Sequence, residues 1–400
     1  PQIKVANPRR AASIVASEFY GHPSKHLTVI GITGTNGKTT TASLLKSILD
    51  QAGHKVAQIG TLGFIANNLE HFETLTTPDP ITLQKLFSEL KDENYSHIVM
   101  EVSSHALDQY RVADVDFDIA AFTNLAPEHL DYHSTLESYY QAKLRLFTML
   151  KIDATAIVNM ETDYGQAIFD KCAVPVVTTS LEKTGDVFFK DYQISLAGIH
   201  GTIQAGEITY TVESSLIGKF NAENILCAIA TGNAMGLTQN AIKNGLKQCA
   251  NIPGRMESFA LRSGATALID YAHTPAAYDK VLSTIKDIVA EKGSLHIVFG
   301  CGGDRDRTKR AKMAASAEQF GFYCYVTPDN PRMEELAVIT ADIVSGFRAN
   351  EYAVFDDRGT GLRHALDRAT ENDVVVVLGK GREDYQELNG KKIHYSDLEI

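Results

Sequence analysis

The segment Gly31-Ile-Thr-Gly-Thr-Asn-Gly-Lys-Thr-Thr40 holds the residue types needed to grip phosphate. Across Gly34, Thr35, Asn36 and Gly37, small side chains let successive backbone N–H groups turn inward around phosphate oxygens. Lys38 adds a point charge, and the hydroxyl of Thr39 or Thr40 suits the accompanying Mg²⁺. The run Leu27-Thr-Val-Ile30 before it reads as a strand, and Ala42, Leu44, Leu45 and Ile48 after it fall on one helical face. The common pattern has a glycine five residues before Gly37; this chain has Ile32 there, with glycines at 31 and 34, so the loop is a variant. The chemistry indicated is binding and hydrolysis of ATP or GTP, against the alternative of a glycine-rich turn with a structural use.

Further groups sit at similar positions. Glu101 ends the strand-like run His97-Ile-Val-Met100, at the sheet edge where ligands gather, and a carboxylate there suits Mg²⁺; a solvated strand-end glutamate is the plainer reading. His129 and His133 are four apart and would share a helical face, as a zinc pair or as a structural pair. Leu136, Tyr140, Lys143 and Phe147 fall on one helical face, so Lys143 occupies an apolar position. Either its amine snorkels to water, or burial lowers its pKa and leaves a neutral amine able to take up CO₂ as a carbamate, a new metal-binding carboxylate. Asn221 and Asn224 could read an adenine ring or cap a helix, and Arg255, Asp270 and His273 are placed to line a cleft. The loops Gly300–Asp306, Asp329-Asn-Pro-Arg332 and Gly379-Lys-Gly-Arg-Glu-Asp-Tyr385 each follow an apolar strand. In the last two, guanidinium and carboxylate occur together, which suits a zwitterionic ligand, although turn chemistry alone explains their Pro and Gly.

These residues need a scaffold of alternating strands and helices. Strand-like runs at Thr28–Ile30, His97–Met100, Ala154–Asn159, Ala267–Ile269, Leu295–Gly300, Tyr323–Thr327 and Val374–Gly379 supply the first kind. Helical patterns at Ala42–Leu49, Ala167–Cys172, Ala222–Met235, Ala276–Val289 and Lys309–Phe320 supply the second, with a loop expected after Met100. Short alternating runs between Asp186 and Ser215 predict an antiparallel ribbon or small subsheet. At 400 residues the chain exceeds one core, and Asn251-Ile-Pro-Gly-Arg255 reads as a linker. The expected plan is α/β: a lead-in over 1–26, a P-loop central domain with a mostly parallel sheet over 27–252, and a Rossmann-like domain over 253–400. A formal charge of −11 argues against nucleic acid or an anionic membrane as partner. Five scattered cysteines without a Cys-x-x-Cys pair read as reduced thiols of a cytoplasmic protein. No signal segment is expected, and Val374–Leu378 is too short to span a bilayer.

Taken together, these blocks resemble the Mur ligase family, most closely its MurE type. The likeness runs from Val5-Ala-Asn-Pro-Arg9 through Thr33–Thr40, Glu101-Val-Ser-Ser-His105, His129-Leu-Asp-Tyr-His133, Gly254-Arg-Met-Glu257, Asp270–Pro275 and Gly300–Asp306 to Gly379-Lys-Gly381. The resemblance implies that Gly34 to Thr40 bind ATP, and that Thr39, Glu101, His129 and Lys143, as its CO₂-derived carbamate, hold two Mg²⁺ ions. Lys38, Glu101, His129 and Lys143 would be the catalytic set. It assigns Asn224, Arg255, Asp270 and His273 to the nucleotide. Thr76, Thr77, Ser103, Gln109 and Arg111 go to the muramyl dipeptide, and Arg305, Asp329, Asn330, Pro331, Arg332, Gly379 and Glu383 to the amino acid.

The implied reaction joins meso-diaminopimelate to UDP-MurNAc-L-Ala-D-Glu through an acyl phosphate, in a monomer. Relatives of this family carry a uridine-binding domain before the central one, the tail of which Val5 to Ser24 resemble, and a helical segment after Tyr395-Ser-Asp397. Arg382 stands where the family often has His. The alternatives are a folylpolyglutamate synthase-like ligase, against which the Asp329–Arg332 and Gly300–Asp306 loops argue, and an inactive nucleotide-binding regulator.

Overall fold

The computed structural model describes residues 4–67, 69, 75–289, 293–349 and 351–400. By contact it divides into two units, Pro1–Gln193 with Ile199–Ser214 and Lys219–Ala250, and Ile194–Gly198 with Ser215–Gly218 and Asn251–Ile400.

The first unit runs α1 (Pro8–Phe19), β1 (Thr28–Thr33), α2 (Lys38–Gln51), β2 (Val56–Gly60), β3 (Gly63–Ile65), α3 (Pro80–Asp92), β4 (His97–Glu101), α4 (Ser104–Asp108), β5 (Ile119–Phe122), α5 (Leu130–His133), α6 (Leu136–Thr148), β6 (Thr155–Asn159), α7 (Asp163–Phe169), β7 (Val176–Ser180), β8 (Val187–Ser195), β9 (Gly198–Ala205), β10 (Ile208–Ser214), α8 (Lys219–Ala234) and α9 (Gln239–Gln248). Its strands form one sheet in the order β10-β9-β8-β7-β6-β5-β1-β4-β2-β3. From β2 through β8 across this order, β4, β1, β5, β6 and β7 all pair in parallel. Residues of β2, β4 and β5 are buried throughout, as expected where helices cover both faces of a parallel sheet. The chain moves to one side from β1 to β2 and to the other from β4 to β5, so the switch point lies at β1, with the phosphate loop at its carboxyl end.

The helices start where the sequence supplies caps: Asn7 for α1, Asp79 for α3, Ser103 for α4 and Thr135 for α6 all accept a hydrogen bond from the first turn. α1 packs on α3, and its Arg10 forms a two-pronged ion pair with Asp114. Three expectations shift. A short helix, α4, follows β4 in place of a loop. The helix expected over Ala167–Cys172 is α7, which spans Asp163–Phe169; within it Gly165 fits against the Asn159 carbonyl, where a Cβ would sit 2.2 Å away. The 186–215 ribbon is antiparallel between β9 and β10 but extends the edge of the main sheet, through β8 parallel to β7.

The second unit contains β11 (Glu257–Ala260), β12 (Thr266–Asp270), α10 (Pro275–Ile288), β13 (Leu295–Phe299), α11 (Arg310–Phe320), β14 (Tyr323–Val326), α12 (Leu336–Val344), β15 (Tyr352–Val354), α13 (Arg358–Arg368), β16 (Val374–Leu378), β17 (Tyr385–Leu388) and β18 (Lys391–His394). The sheet order is β11-β12-β16-β13-β14-β15, parallel except for β11, and β17 and β18 form a separate hairpin. Ile269, Val298, Tyr325, Val375 and Val377 of the sheet pack with Leu362 and Ala365 of α13. Fully buried Arg358 makes two 2.8 Å bonds to Asp397 and donates to the Leu378 carbonyl, tying the 397 segment to the end of β16. Both sheets therefore present the ends of their parallel strands to the loops singled out above.

Candidate active site

The phosphate loop is shaped by two left-handed glycines. Gly34 has φ +155°, and a Cβ there would lie 1.9 Å from Thr123 Oγ1; Gly37 has φ +87°, with a Cβ 2.3 Å from Asn224 Oδ1. The segment after β5 grips the loop from outside. Thr35 N donates to Asn124 O at 2.9 Å, Asn36 N to Asn124 Oδ1 at 3.0 Å, and Ala126 N to Thr35 Oγ1 at 2.9 Å. α2 begins at Lys38, so the N–H groups of its first turn and the positive end of its dipole lie at the loop. The Lys38 ammonium donates to Gly34 O at 2.9 Å and Thr35 O at 2.8 Å. Asn224 lies within α8 rather than at its cap; it donates to Asn221 and packs against Gly37.

Lys143 is 1 % exposed, so its amine does not snorkel to water. It donates to Gly34 O at 2.7 Å and lies 4.4 Å from the centre of the Tyr139 ring. Burial, and then the nearby charge of Lys38, hold its pKa well below the ordinary lysine value, with Glu128 opposing. The amine therefore lies against the phosphate loop, with its pKa displaced toward the neutral form.

Glu101 is fully buried at the end of β4, paired in register with Ile32 of β1. Thr61 holds both carboxylate oxygens, N to Oε1 at 2.8 Å and Oγ1 to Oε2 at 3.1 Å. This excludes the solvated strand-end reading. Four of the residues assigned to the muramyl dipeptide interlock beside it. Thr77 Oγ1 donates to Glu101 O at 2.9 Å and accepts from Ser103 N at 3.1 Å, while Arg111 donates to Thr77 O at 2.8 Å and to Gln109 Oε1 at 2.7 Å. Thr76 Oγ1 meets Thr61 Oγ1 at 3.4 Å.

His129 and His133 do not share a helical face. His129 precedes α5 in a left-handed conformation, φ +56°, and is largely exposed, whereas His133 is buried with Nε2 at 3.0 Å from Ser104 Oγ. The His105 ring lies between them, 4.9 Å from His129 and 5.5 Å from His133 between ring centres. Burial, and next the charge of His129, lower the pKa of His105. Among the described residues, no group of three or more His, Cys, Asp or Glu side chains is arranged to hold a metal ion. The oxygen donors Thr39 and Glu101 fit the chemistry of Mg²⁺.

In the second unit, Asp270 at the end of β12 accepts from Met256 N and Ala272 N, both at 2.8 Å; burial raises its pKa, opposed by Arg255. Arg255 lies over the Tyr271 ring, and His273 is exposed, its carbonyl taken by Lys309. A separate cluster joins Asn330 to Glu383 at 2.9 Å and buried Lys380 to Glu383 at 3.0 Å. Arg332, with φ +54°, donates to Gly303 O at 2.9 Å and pairs with Glu387 at 3.2 Å. Gly379 passes Asp329 closely, since a Cβ would lie 2.7 Å from Oδ2. Arg305 belongs to the neighbouring loop, where a Cβ on Gly302 would lie 3.6 Å from its Cγ. Arg382 is paired in two-pronged fashion with Glu257, which is 2 % exposed and also accepts from Gly254 N.

Sequence reasoning missed Thr61, Thr123, Asn124 and Tyr139, and named Glu257 and Lys380 only within their motifs, without a role. Thr61 carries a usable signal, a small polar residue directly after a buried strand. Tyr139 and Glu257 are recognisable only once the fold brings distant segments together.

The first unit is by its fold a phosphate-loop α/β domain. Residues 32–232 match the family profile of the Mur ligase middle domain, and residues 254–381 that of the Mur ligase, glutamate ligase domain. The chain is 39% identical over 401 residues to a UDP-N-acetylmuramoyl-L-alanyl-D-glutamate--2,6-diaminopimelate ligase of Clostridium botulinum, covering 100% of this chain and 82% of the relative. To the Bacillus velezensis protein of the same description it is 40% identical over 408 residues, with the same coverage of each. A solved structure of such a ligase superposes with a TM-score of 0.72 at 32% identity, covering 100% of this chain and 84% of the other. Folylpolyglutamate synthase from Thermotoga maritima reaches a TM-score of 0.74 at 19% identity over 94% of this chain and 91% of the other, a likeness of fold.

The chain therefore belongs to the Mur ligase family, ATP-dependent enzymes that form amide bonds, and within it is MurE-like. Among the described residues no helix is long and apolar enough to cross a membrane.

Proposed function

We propose that the chain adds meso-diaminopimelate to the D-glutamyl carboxylate of UDP-MurNAc-L-Ala-D-Glu, as a cytoplasmic monomer in peptidoglycan precursor synthesis. The observation that carries the amino-acid assignment is the Asn330–Glu383–Lys380 cluster beside Arg332. A carboxylate there suits an ammonium group, and a guanidinium suits the extra carboxylate that distinguishes diaminopimelate from lysine. The 37–40% identity to ligases so described supports the same reading.

In this reading Gly34 to Thr40 cradle the ATP phosphates, and Lys38 swings from the loop carbonyls to the γ-phosphate. Asn224 buttresses the loop, while Arg255, Asp270 and His273 serve the nucleoside. Thr76, Thr77, Ser103, Gln109 and Arg111 orient the dipeptide so that its carboxylate attacks the γ-phosphorus and ADP leaves. Asp329 to Arg332, Arg305, Gly379 and Glu383 then present the neutral amine of the amino acid, which attacks the acyl carbon and releases phosphate. Thr39, Glu101, His129 and a carbamate on Lys143 would hold two Mg²⁺ ions, which when bound offset charge on the phosphoryl oxygens. The Lys143 amine would attack CO₂ and lose one proton; the carbamate nitrogen keeps one N–H, so the bond to Gly34 O can persist.

The test is phosphate release from ATP with UDP-muramyl dipeptide and meso-diaminopimelate, L-lysine or no amino acid, with product masses determined. Amide product with diaminopimelate alone is expected. Equal use of lysine would overturn the specificity assignment.

A further inference from the structure

We propose that the Gly60-Thr61 turn is a positioning element for Glu101, and that it links this carboxylate to Thr76 of the dipeptide-binding segment. The inference rests on the reading of Glu101 as a Mg²⁺ ligand. β2 runs parallel to β4 with Ile59 opposite Met100, which brings Gly60 beside Glu101. The glutamate side chain lies across the end of β2 so closely that a Cβ on Gly60 would be 2.3 Å from Oε1 and 2.8 Å from Cδ. Only a residue without a side chain leaves room for the carboxylate in this place.

Thr61 then fixes its orientation. The terminal torsion of a glutamate is broad and roughly two-fold, so a buried carboxylate held at one oxygen can still rotate. Here one residue grips both oxygens, through its N–H at 2.8 Å and its hydroxyl at 3.1 Å. Each oxygen keeps a further acceptor site for another ligand. The Thr61 hydroxyl has a single proton, directed to Glu101, so in its 3.4 Å contact with Thr76 the Thr76 hydroxyl is the donor. The resulting chain runs Thr76 to Thr61 to Glu101. A substrate group that engages Thr76 therefore acts on the residue that orients the carboxylate.

The experiment measures Mn²⁺ affinity by calorimetry in the presence of a non-hydrolysable ATP analogue, together with the affinity for the analogue alone. It compares Thr61→Val, Thr61→Ser, Gly60→Ala and Glu101→Gln with the unaltered chain, thermal melts confirming folding. Thr61→Val and Gly60→Ala are expected to weaken Mn²⁺ binding by roughly tenfold or more, the scale of other outer-shell partners. Analogue affinity without metal should be unchanged, and Thr61→Ser should restore Mn²⁺ binding. Unaltered Mn²⁺ affinity in Thr61→Val, with a loss in Glu101→Gln, overturns the inference and leaves the metal reading standing. Unaltered affinity in Glu101→Gln overturns both. An equal loss of analogue and metal binding in Thr61→Val would mark a general structural role and also overturn it. Should Thr61→Val fail to fold, Gly60→Ala with the Thr61→Ser control decides by the same criteria.

Discussion

Lys38 and Lys143 donate to the same backbone oxygen, that of Gly34, at 2.9 and 2.7 Å. Burial first, and then the repulsion of the nearby Lys38 charge, hold the pKa of Lys143 well below the ordinary lysine value. An ordinary lysine is neutral in only about one molecule per thousand near pH 7.4; Lys143 is shifted toward the form that reacts with CO₂. The chain incubated with ¹³C-bicarbonate at neutral pH should show a carbamate carbon resonance that Lys143→Gln lacks, and Lys143→Gln should lose ligation. A spectrum without that resonance would sink the carbamate assignment.

The same shift makes stability depend on pH. In the window between the lowered folded pKa of Lys143 and its unfolded value near 10.4, the unfolded chain binds the proton and the native chain does not. Stability from this group therefore rises with pH through the window and levels off above it. In bicarbonate-free buffer the urea midpoint of the unaltered chain should climb, relative to Lys143→Met, from neutral pH toward pH 10. Parallel midpoints would show that Lys143 is protonated in the native state.

Gly34 and Gly37 differ in what a side chain would meet. At Gly34 the obstacle is Thr123 Oγ1, with the Asn124 backbone N and O both 3.1 Å away, and at Gly37 it is the side-chain amide of Asn224. Both also have left-handed φ values, which disfavour alanine. Each alanine variant should lose nucleotide affinity in an ADP titration. Asn224→Ala should relieve part of the loss at Gly37 and none at Gly34; equal relief at both would show that the Asn224 contact is not what matters.

The phosphate loop was legible because its chemistry is local: glycine, lysine and hydroxyl must be adjacent in sequence to surround one phosphate. The parallel sheets were legible for a similar reason, since strands buried on both faces read as continuous apolar runs. α7 lies at Asp163–Phe169, earlier than the Ala167–Cys172 pattern predicts, and the contact that requires glycine at 165, with the Asn159 carbonyl, is a tertiary one that the pattern does not show. The shared face of His129 and His133 holds only if both are helical, and the backbone of His129 is left-handed. Thr61, Tyr139 and Glu257 act on partners 40, 104 and 125 residues away, and no spacing rule reaches across such separations.

Arg332 has a dual attachment that sharpens its test. Its guanidinium already holds Gly303 O and Glu387, so removal to alanine would disturb the loop as well as the ligand. Arg332→Lys keeps the charge and loses the planar fork. It should raise KM for diaminopimelate by up to roughly 30-fold, equivalent to about 2 kcal/mol for a charged contact, with KM for ATP little changed. Equal effects on both substrates would remove Arg332 from the amino-acid pocket.

Arg382, at a position where the resemblance leads one to expect histidine, has a defined partner. Its guanidinium lies on Glu257, which is almost fully buried and also takes the Gly254 N–H at 3.1 Å. Gly254 in turn packs against the backbone of Gly381 and Arg382, so the ion pair and the backbone contact fasten the same two segments. Arg382→Ala would strand a buried carboxylate, and partial exposure of Arg382 softens the penalty relative to a fully buried pair. Chemical denaturation should show a loss of about 2–3 kcal/mol. Glu257→Gln paired with Arg382→Ala should lose less than Arg382→Ala alone, because the uncompensated charge is gone. If the double variant is instead as unstable as the sum of the two single ones, the pair is not coupled and Arg382 acts through some other contact.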